Sequence, residues 1–540
     1  MKRSWITRRR AAAKVAAPAA AAFLALTGGL AACSADHPDP TGSAAQPCAD
    51  LAGVEFPEGT TVTIATAFTG TEAERFEASL EQFEECTGID VVHSGSDELE
   101  VLLRRSMEQP GSEEGVADLP DLAVVPQPGL VGDLARSGML VALPDSVGAN
   151  IELGWDRNWL EAGSVNGVLY AAPLMASVKS FIWYSPAAFA QADYQVPTTW
   201  DELVALTERI AADNAGDPVD EDAAAEGAAE EGAATDKTPG ATPWCLGVAD
   251  GDSSGWPVSD WLEETLLATR GVGAYDAWAN HAVALDDVSA VGALDTVGEL
   301  LLTDGHVPGG GEGAGAVTVE EAAEQLLGGS CYMLHASSGY ENLLPEGATV
   351  VSADGGMGAA TGTASGTRAS GSAVPQSGAE PSATASQASS QGAVSAFLVP
   401  GAADDDAGSP VIVGGDFLVD LAAVSPKTTA GNDEQGGPDP EAVEAVMTYL
   451  TSPEWAQRRV DLGGVATANR SVDASKLRSD VARRATVLLQ SRQSVIRFDA
   501  SDSMPSTVGT EALWSALSRW TNGELDSKEA LGVAEAAWPE

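Results

Sequence analysis

Between residues 61 and 125 the spacing of apolar side chains changes period several times, and this alternation limits what the chain can fold into. Thr61-Val62-Thr63-Ile64-Ala65-Thr66 is a short β-branched run and reads as a buried strand. Thr71-Glu72-Ala73-Glu74 then sets Thr and Glu three apart, the spacing of a capping box. Phe76, Leu80 and Phe83 recur at helical intervals, and Gly88 stops the helix. Ile89-Asp90-Val91-Val92 reads as the next strand, a helix follows near 98–107, and Leu122-Ala123-Val124-Val125 is a third strand. Strands that alternate with helices give an α/β class with a mostly parallel sheet.

The first residues are not part of that fold. Lys2, Arg3, Arg8, Arg9, Arg10 and Lys14 precede an apolar stretch, Val15 to Leu26, which is the pattern of an export signal over residues 1–32. Leu30-Ala31-Ala32-Cys33 resembles the lipobox of bacterial lipoproteins, which implies a lipidated Cys33 followed by a flexible tether to about residue 53. The formal charge of −51 becomes six units more negative once the signal is removed. So acidic a chain lacks the basic surface that nucleic acid requires, and it has no polybasic patch for anionic lipid. Its expected place is the extracytoplasmic face of the cell membrane, held by acyl chains. The four remaining cysteines, Cys48, Cys86, Cys245 and Cys331, allow three pairings in an oxidising compartment. Cys48–Cys86 with Cys245–Cys331 is favoured, because the first pair brackets the opening strand and helix. No C-x-x-C or Cys/His spacing supports zinc, and no cofactor is expected.

Tyr170 to Tyr184 is a long apolar segment interrupted by Lys179, of a length to cross between two lobes and enter a strand. Thr199 and Glu202 form a second capping-box spacing, ahead of the apolar stripe Leu203, Leu206 and Ile210. Residues 213–237, with nine acids among Ala and Gly, and residues 352–392, rich in Gly, Ala, Ser and Thr, read as low-complexity insertions.

Several segments together resemble the extracellular solute-binding proteins of carbohydrate ABC transporters. They are the lipobox, Ala67-Phe68-Thr69-Gly70, Pro197-Thr198-Thr199-Trp200-Asp201-Glu202-Leu203 after Trp183-Tyr184-Ser185-Pro186, and Thr451-Ser452-Pro453-Glu454-Trp455. Trp256-Pro257-Val258-Ser259-Asp260-Trp261, Gly414-Gly415-Asp416-Phe417 and Arg497-Phe498-Asp499-Ala500-Ser501-Asp502 resemble the α-glucoside branch in particular. The resemblance implies a two-lobed periplasmic-binding-protein-like fold of type II, with a ligand cleft between lobes joined by a hinge. It implies a monomer that delivers a carbohydrate to ABC transporter permease subunits. Mapped by order, lobe one is 54–172 plus 331–418, and lobe two is 173–330 plus 419–540.

A sugar offers hydroxyls to planar polar groups and CH faces to aromatic rings. The chain holds 13 Trp against 10 Phe and 7 Tyr, so tryptophans at loop positions are the first candidates. Trp256 and Trp261 follow the strand-like Leu246-Gly247-Val248, and Asp260 lies between them to accept from hydroxyls. Asp416 and Phe417 follow two glycines that permit close backbone approach. Phe68 and Thr69 stand at the first strand's end beside a helix N-terminus, and Gln127 follows the third strand. Lys179, one of seven lysines, is either a ligand donor or the partner of a buried acid. Arg497 and Asp499 either pair with each other or grip vicinal hydroxyls.

Three rival functions share some of these features. Gly251-Asp252-Ser253-Ser254-Gly255 matches G-x-S-x-G, but a hydrolase triad needs His281, His306 or His335, and Trp256-Pro257 is expected to break the helix of a nucleophile elbow. A glycoside hydrolase needs paired carboxylates, which mean little among 79 acids. A polyamine, peptide or metal site fits the same fold with other side chains. The expectation is therefore a binding protein and not an enzyme.

Overall fold

The computed structural model describes residue 51 and residues 54–108, 119–215, 240–344, 348–352, 392–401, 410–421 and 439–539. The signal, Cys33, the tether apart from Leu51, and Cys48 lie outside the described residues, as do the two low-complexity segments apart from their end residues. The first strand forms over Thr60–Thr66 and pairs in parallel with Ile89–Gly95 on one side and Leu122–Val125 on the other. Helix Gly70–Thr87 buries Phe76, Leu80 and Phe83, and ends where the Gly88 N–H donates to the Glu84 carbonyl at a φ of 78°. It starts earlier than the Thr71/Glu74 spacing predicts. Thr69, in extended conformation, is its N-cap and makes no side-chain capping bond. At the helix Trp200–Asn214 half of the expected box is present. Thr199 Oγ accepts from the Glu202 N–H, while the Glu202 carboxylate turns to Thr198 instead.

Two sheets organise the chain. In the first, strands run in the order Ile496–Phe498, Val411–Asp420, Leu122–Val125, Thr60–Thr66 and Ile89–Gly95, and Ala171–Val178 also pairs with Val411–Asp420. In the second the order is Thr349–Val350, Ala393–Leu398, Phe181–Tyr184, Cys331–His335 and Thr242–Cys245. The first sheet is mostly parallel, with three parallel pairings against two antiparallel, and the second is evenly divided, with two of each. Val411–Asp420 lies antiparallel to Leu122–Val125 and Ala171–Val178, and Phe181–Tyr184 lies antiparallel to both of its neighbours. Val411–Asp420 and Phe181–Tyr184, which both begin at a crossing between the sheets, run against those neighbours, so both sheets are mixed.

The pairing corrects the expected division of the chain. Cys331–His335 hydrogen-bonds to Phe181–Tyr184 and Thr242–Cys245, and the disulfide Cys245–Cys331, expected from the sequence, joins two of these strands. Residues 331–335 and 393–398 therefore belong to the second lobe and only 411–420 returns to the first. The C-terminal part is also divided. Side chains from Ala442 to Leu489 pack into the apolar core of the first sheet, whereas those from Ala500 to Ala534 pack against one face of the second. The order of segments carries no information about which strands pair, and that is what fixes the lobes.

The chain passes between the sheets at Val178–Phe181, between Leu398 and Val411, and at Phe498–Ala500. These crossings are bonded to one another. The Lys179 N–H donates to the Ile412 carbonyl at 2.8 Å, the Val399 N–H to the Ser180 carbonyl at 3.0 Å, and the Asp499 N–H to the Val413 carbonyl at 2.9 Å. The buried Ser180 hydroxyl accepts from the Ile412 N–H at 2.7 Å and donates to the buried Glu264 carboxylate.

Burial pushes the Glu264 carboxyl up to about 8, although the Ser180 hydroxyl opposes the shift. The folded protein thus holds a proton that the unfolded chain releases near pH 4.5, so this group lowers stability as pH rises from about 4.5 to about 8. Glu264→Gln keeps an acceptor for Ser180 and removes the titration. Its unfolding midpoint in urea should gain on that of the natural protein across this window, and parallel pH profiles for the two would refute the assignment.

Candidate ligand-binding cavity

A cavity of about 390 Å³ opens where the carboxyl ends of first-sheet strands meet the second lobe, the place where open α/β sheets hold ligands. Thr69 follows strand Thr60–Thr66, Gln127 follows Leu122–Val125, and Asp416 stands on Val411–Asp420. All three line the cavity, as do Lys179, Trp256 and Asp260. Six of the eleven side chains chosen from sequence are therefore brought together.

The other five are placed elsewhere. Phe68 is buried and edge-on to Phe76, with ring centroids 5.5 Å apart. Trp261 is 1% exposed and packs edge-on to Trp244 at 4.9 Å and beside His335 at 4.6 Å, inside the second core. Phe417 is fully buried against Trp159, because successive strand residues face opposite ways and Asp416 takes the cavity side. Arg497 grips Asp276 through Nε and Nη2, so the expected Arg497–Asp499 pair does not form. Asp499 is buried behind the cavity wall. It caps the short helix Ala500–Ser503 through the Asp502 N–H and accepts from Lys179.

Lys179 Nζ donates to Asp499 at 2.7 Å, to Asp502 at 3.0 Å and to Asp260 at 3.2 Å. An ammonium has three donors, and each has found a carboxylate. Burial alone would lower its pKa, but Asp260, Asp499 and Asp502 hold it well above the usual lysine range. The same burial would raise Asp499, yet Lys179 brings it below the usual carboxylate value, while Asp502, buried beside Asp499, is pushed up to about 7. Of the two roles open to Lys179, partner of buried acids is the one for which the structure supplies the bonds.

Trp256 begins the helix Trp256–Arg270, with Pro257 in its first turn. The expected break does not occur, since the N–H that proline lacks has no partner at a helix start in any case. Gly255 precedes it at a φ of 106°, and a side chain there would strike the backbone of Trp514. The Trp256 Nε1–H donates to Asp250 at 2.8 Å, which fixes the half-buried ring on the cavity wall. Gly251–Ser253 forms a single turn, and among the described residues no histidine bonds to Ser253. His281 pairs with Glu535, His306 Nδ1 meets the Leu300 carbonyl, and the buried His335 packs on Trp261. The room at Gly414 and Gly415 is taken by protein rather than left to a ligand. A Cβ at Gly415 would strike the Trp159 ring, and one at Gly414 would come within 3.1 Å of the Lys179 stem.

Sequence reasoning missed most of the acids of the wall. Glu72, Asp97 and Glu100 line the cavity from the first lobe beside Asp416, and Asp250, Glu320 and Asp502 from the second beside Asp260. Burial, reinforced by Glu72, pushes the Asp416 carboxyl up to about 7. Trp514 and Asn342 were missed as well. The Trp514 Nε1–H donates to Ser501 at 3.1 Å, and Asn342 bridges Arg75, Glu72 and the Gly464 carbonyl. The usable signal was position just after a strand's carboxyl end, which Asp97 and Asp250 share with Gln127.

The sequence pattern of bacterial extracellular solute-binding proteins matches residues 69–457. The chain is 28% identical over 481 residues to the osmoprotective compounds-binding protein of Synechocystis, covering 88% of this chain and 92% of that one. It is 27% identical over 490 residues to the alpha-glucosides-binding periplasmic protein of Rhizobium meliloti, covering 89% and 87%. A solved chitin oligosaccharide binding protein shares the fold, with a TM-score of 0.61 at 15% identity over 88% of this chain and 97% of that one. The cavity between two α/β lobes and the pattern match over most of the chain agree, and the chain belongs to the family of bacterial extracellular solute-binding proteins.

Proposed function

We propose that the protein captures a carbohydrate, an α-glucoside or a short oligosaccharide, in the cavity between its lobes and presents it to the permease of an ABC importer. The observation that carries this reading is Trp256, a ring fixed on the wall by Asp250 among carboxylate and amide acceptors. Stacking on a sugar's CH face while hydroxyls donate to surrounding acids is what such a wall offers. The alpha-glucosides named for the Rhizobium meliloti relative support the class. The lobes close about the three crossings when ligand touches both, and the closed form is what the permease reads. The protein works as a monomer, tethered outside the cytoplasmic membrane by acyl chains on Cys33.

Calorimetry against a panel of α-glucosides, malto-oligosaccharides, amino acids and polyamines should show saturable heat with at least one glycoside. Trp256→Ala should weaken that binding by roughly tenfold or more while its melting profile stays cooperative. A panel without any sugar response would refute the carbohydrate reading, and undiminished affinity in the variant would remove Trp256 from the site. Lys179→Met leaves three buried carboxylates without their counter-ion. It should lower unfolding free energy by about 3–5 kcal/mol in urea titration, and a change near zero would mean the cluster does not depend on the lysine. Cys33→Ser should move the protein from the membrane fraction to the medium, and continued membrane association would rule out the acyl anchor.

A further inference from the structure

The polar groups of the cavity are one-sided. Among the described residues Lys179 is its only basic side chain, and all three ammonium donors are bound to Asp260, Asp499 and Asp502. Arg459 is buried, gives Nη1 to the Gly463 carbonyl and acts electrostatically on Glu72 and Asp416; its Nε and Nη2 have no hydrogen-bond partner among the described residues, but it does not line the cavity. Gln127 is 7% exposed and lines the cavity, and its Oε1 has no hydrogen-bond partner. A buried acceptor without a donor is costly, so Oε1 offers an occupant a place to donate. Asp416 lines the same cavity and makes no hydrogen bond or ion pair among the described residues; Glu72 and Asp502 disfavour its charge, while Arg459 and Lys179 favour it without bonding to it.

We infer that the ligand is a glycoside or polyol carrying a protonated amine, whose ammonium sits against Asp416 while its hydroxyls donate to Gln127 and the surrounding carboxylates. This rests on the carbohydrate reading above and narrows it. Several considerations converge. An anionic sugar would meet carboxylates with no free cation to receive it. A neutral sugar satisfies the acceptors but brings the Asp416 carboxylate no counter-charge inside the cavity, where Arg459 does not line the wall and Lys179 is already bound to three other acids. Burial holds the Asp416 carboxyl at about 7, so an arriving ammonium favours its ionised form and gains a charge-assisted bond in a partly desolvated site. A bare metal ion is the less suitable cation. Among the described residues no group of three or more His, Cys, Asp or Glu has an arrangement that holds one.

The test is calorimetry on the full mature chain with three matched probes: trehalose, its mono-amino derivatives, and the N-acetyl forms of those derivatives, with spermidine as a fourth. An amino derivative should bind about tenfold or more tightly than trehalose, as expected for a hydrogen bond to a charged group, and N-acetylation should abolish the gain. The preference should shrink as salt is raised, and in Asp416→Asn the ratio of the two affinities should fall toward one. If Asp416→Asn does not fold, the salt dependence and the N-acetyl comparison in the natural protein decide. Trehalose binding as tightly as its amino derivatives, or a preference that survives in Asp416→Asn, overturns the inference while leaving the carbohydrate reading intact. Spermidine binding as tightly as the best amino sugar overturns it too, because the polyol would then play no part. If no sugar of any kind binds, the carbohydrate reading fails and this inference falls with it.

Discussion

The ammonium of Lys179 is the charge on which the centre of this molecule depends. It sits on the first crossing between the lobes and bonds to Asp499 on another crossing, to Asp502 one helical turn on, and to Asp260 on a second-lobe helix. Three carboxylates this close and this buried could not share a site without a cation, since desolvation and mutual repulsion act in the same direction. The acids around them hold the geometry further. Glu263 accepts the N–H groups of Ala500 and Ser501 at 2.7 and 3.0 Å and the Tyr275 hydroxyl at 2.5 Å, so the turn that carries Asp499 and Asp502 is fixed from behind. Asp502 reaches the cavity wall only because that turn is held.

The same economy of space shapes the opposite wall. Val411–Asp420 changes register between Asp416 and Phe417 where it pairs with Ala171–Val178, and Trp159 fills the hollow beside Gly415 with its ring 4.7 Å from Phe498. The indole occupies the space a side chain at 415 would need. Phe417 is turned into the core and Asp416 toward the cavity. A packing interaction on the far side of the strand thus decides which charged group a ligand meets. It also places Asp416 on the first lobe and Trp256 on the second, so an occupant that touches both spans the crossings.

How much of this could be read in advance depended on scarcity and period. Lys179 was legible because a lysine in an apolar crossing is rare and has to be paired, and Trp256 because it follows a strand and a glycine-bearing turn. The alternation of strand and helix gave the class. Phe68, Trp261 and Phe417 were misplaced because each neighbours a cavity residue along the chain, and which of two adjacent residues faces inward depends on the packing of the loop, helix or strand that carries them, which the sequence does not show. The lobe boundaries failed likewise, since segments 331–335 and 442–489 declare their partners only through hydrogen bonds and packing. The acids of the wall were illegible because, among 79 carboxylates, nothing local marks Glu72 or Asp502.

Overall charge and local charge do different work here. At physiological ionic strength a surface charge is felt over about 8 Å, so the great excess of acids keeps the body of the protein in solution but does not choose its ligand. Selection falls to the few carboxylates inside the cavity, where desolvation makes each charge costly and each donor valuable. Burial raises Asp416 and Asp502 to about 7, so mutual repulsion among the wall carboxylates grows as pH rises through that range. An occupant rich in donors relieves that repulsion, and binding only the folded chain it adds its own stabilisation by mass action. Affinity and stability are therefore linked through the same carboxylates: the desolvation and repulsion that cost the fold stability are what a donor-bearing occupant would relieve.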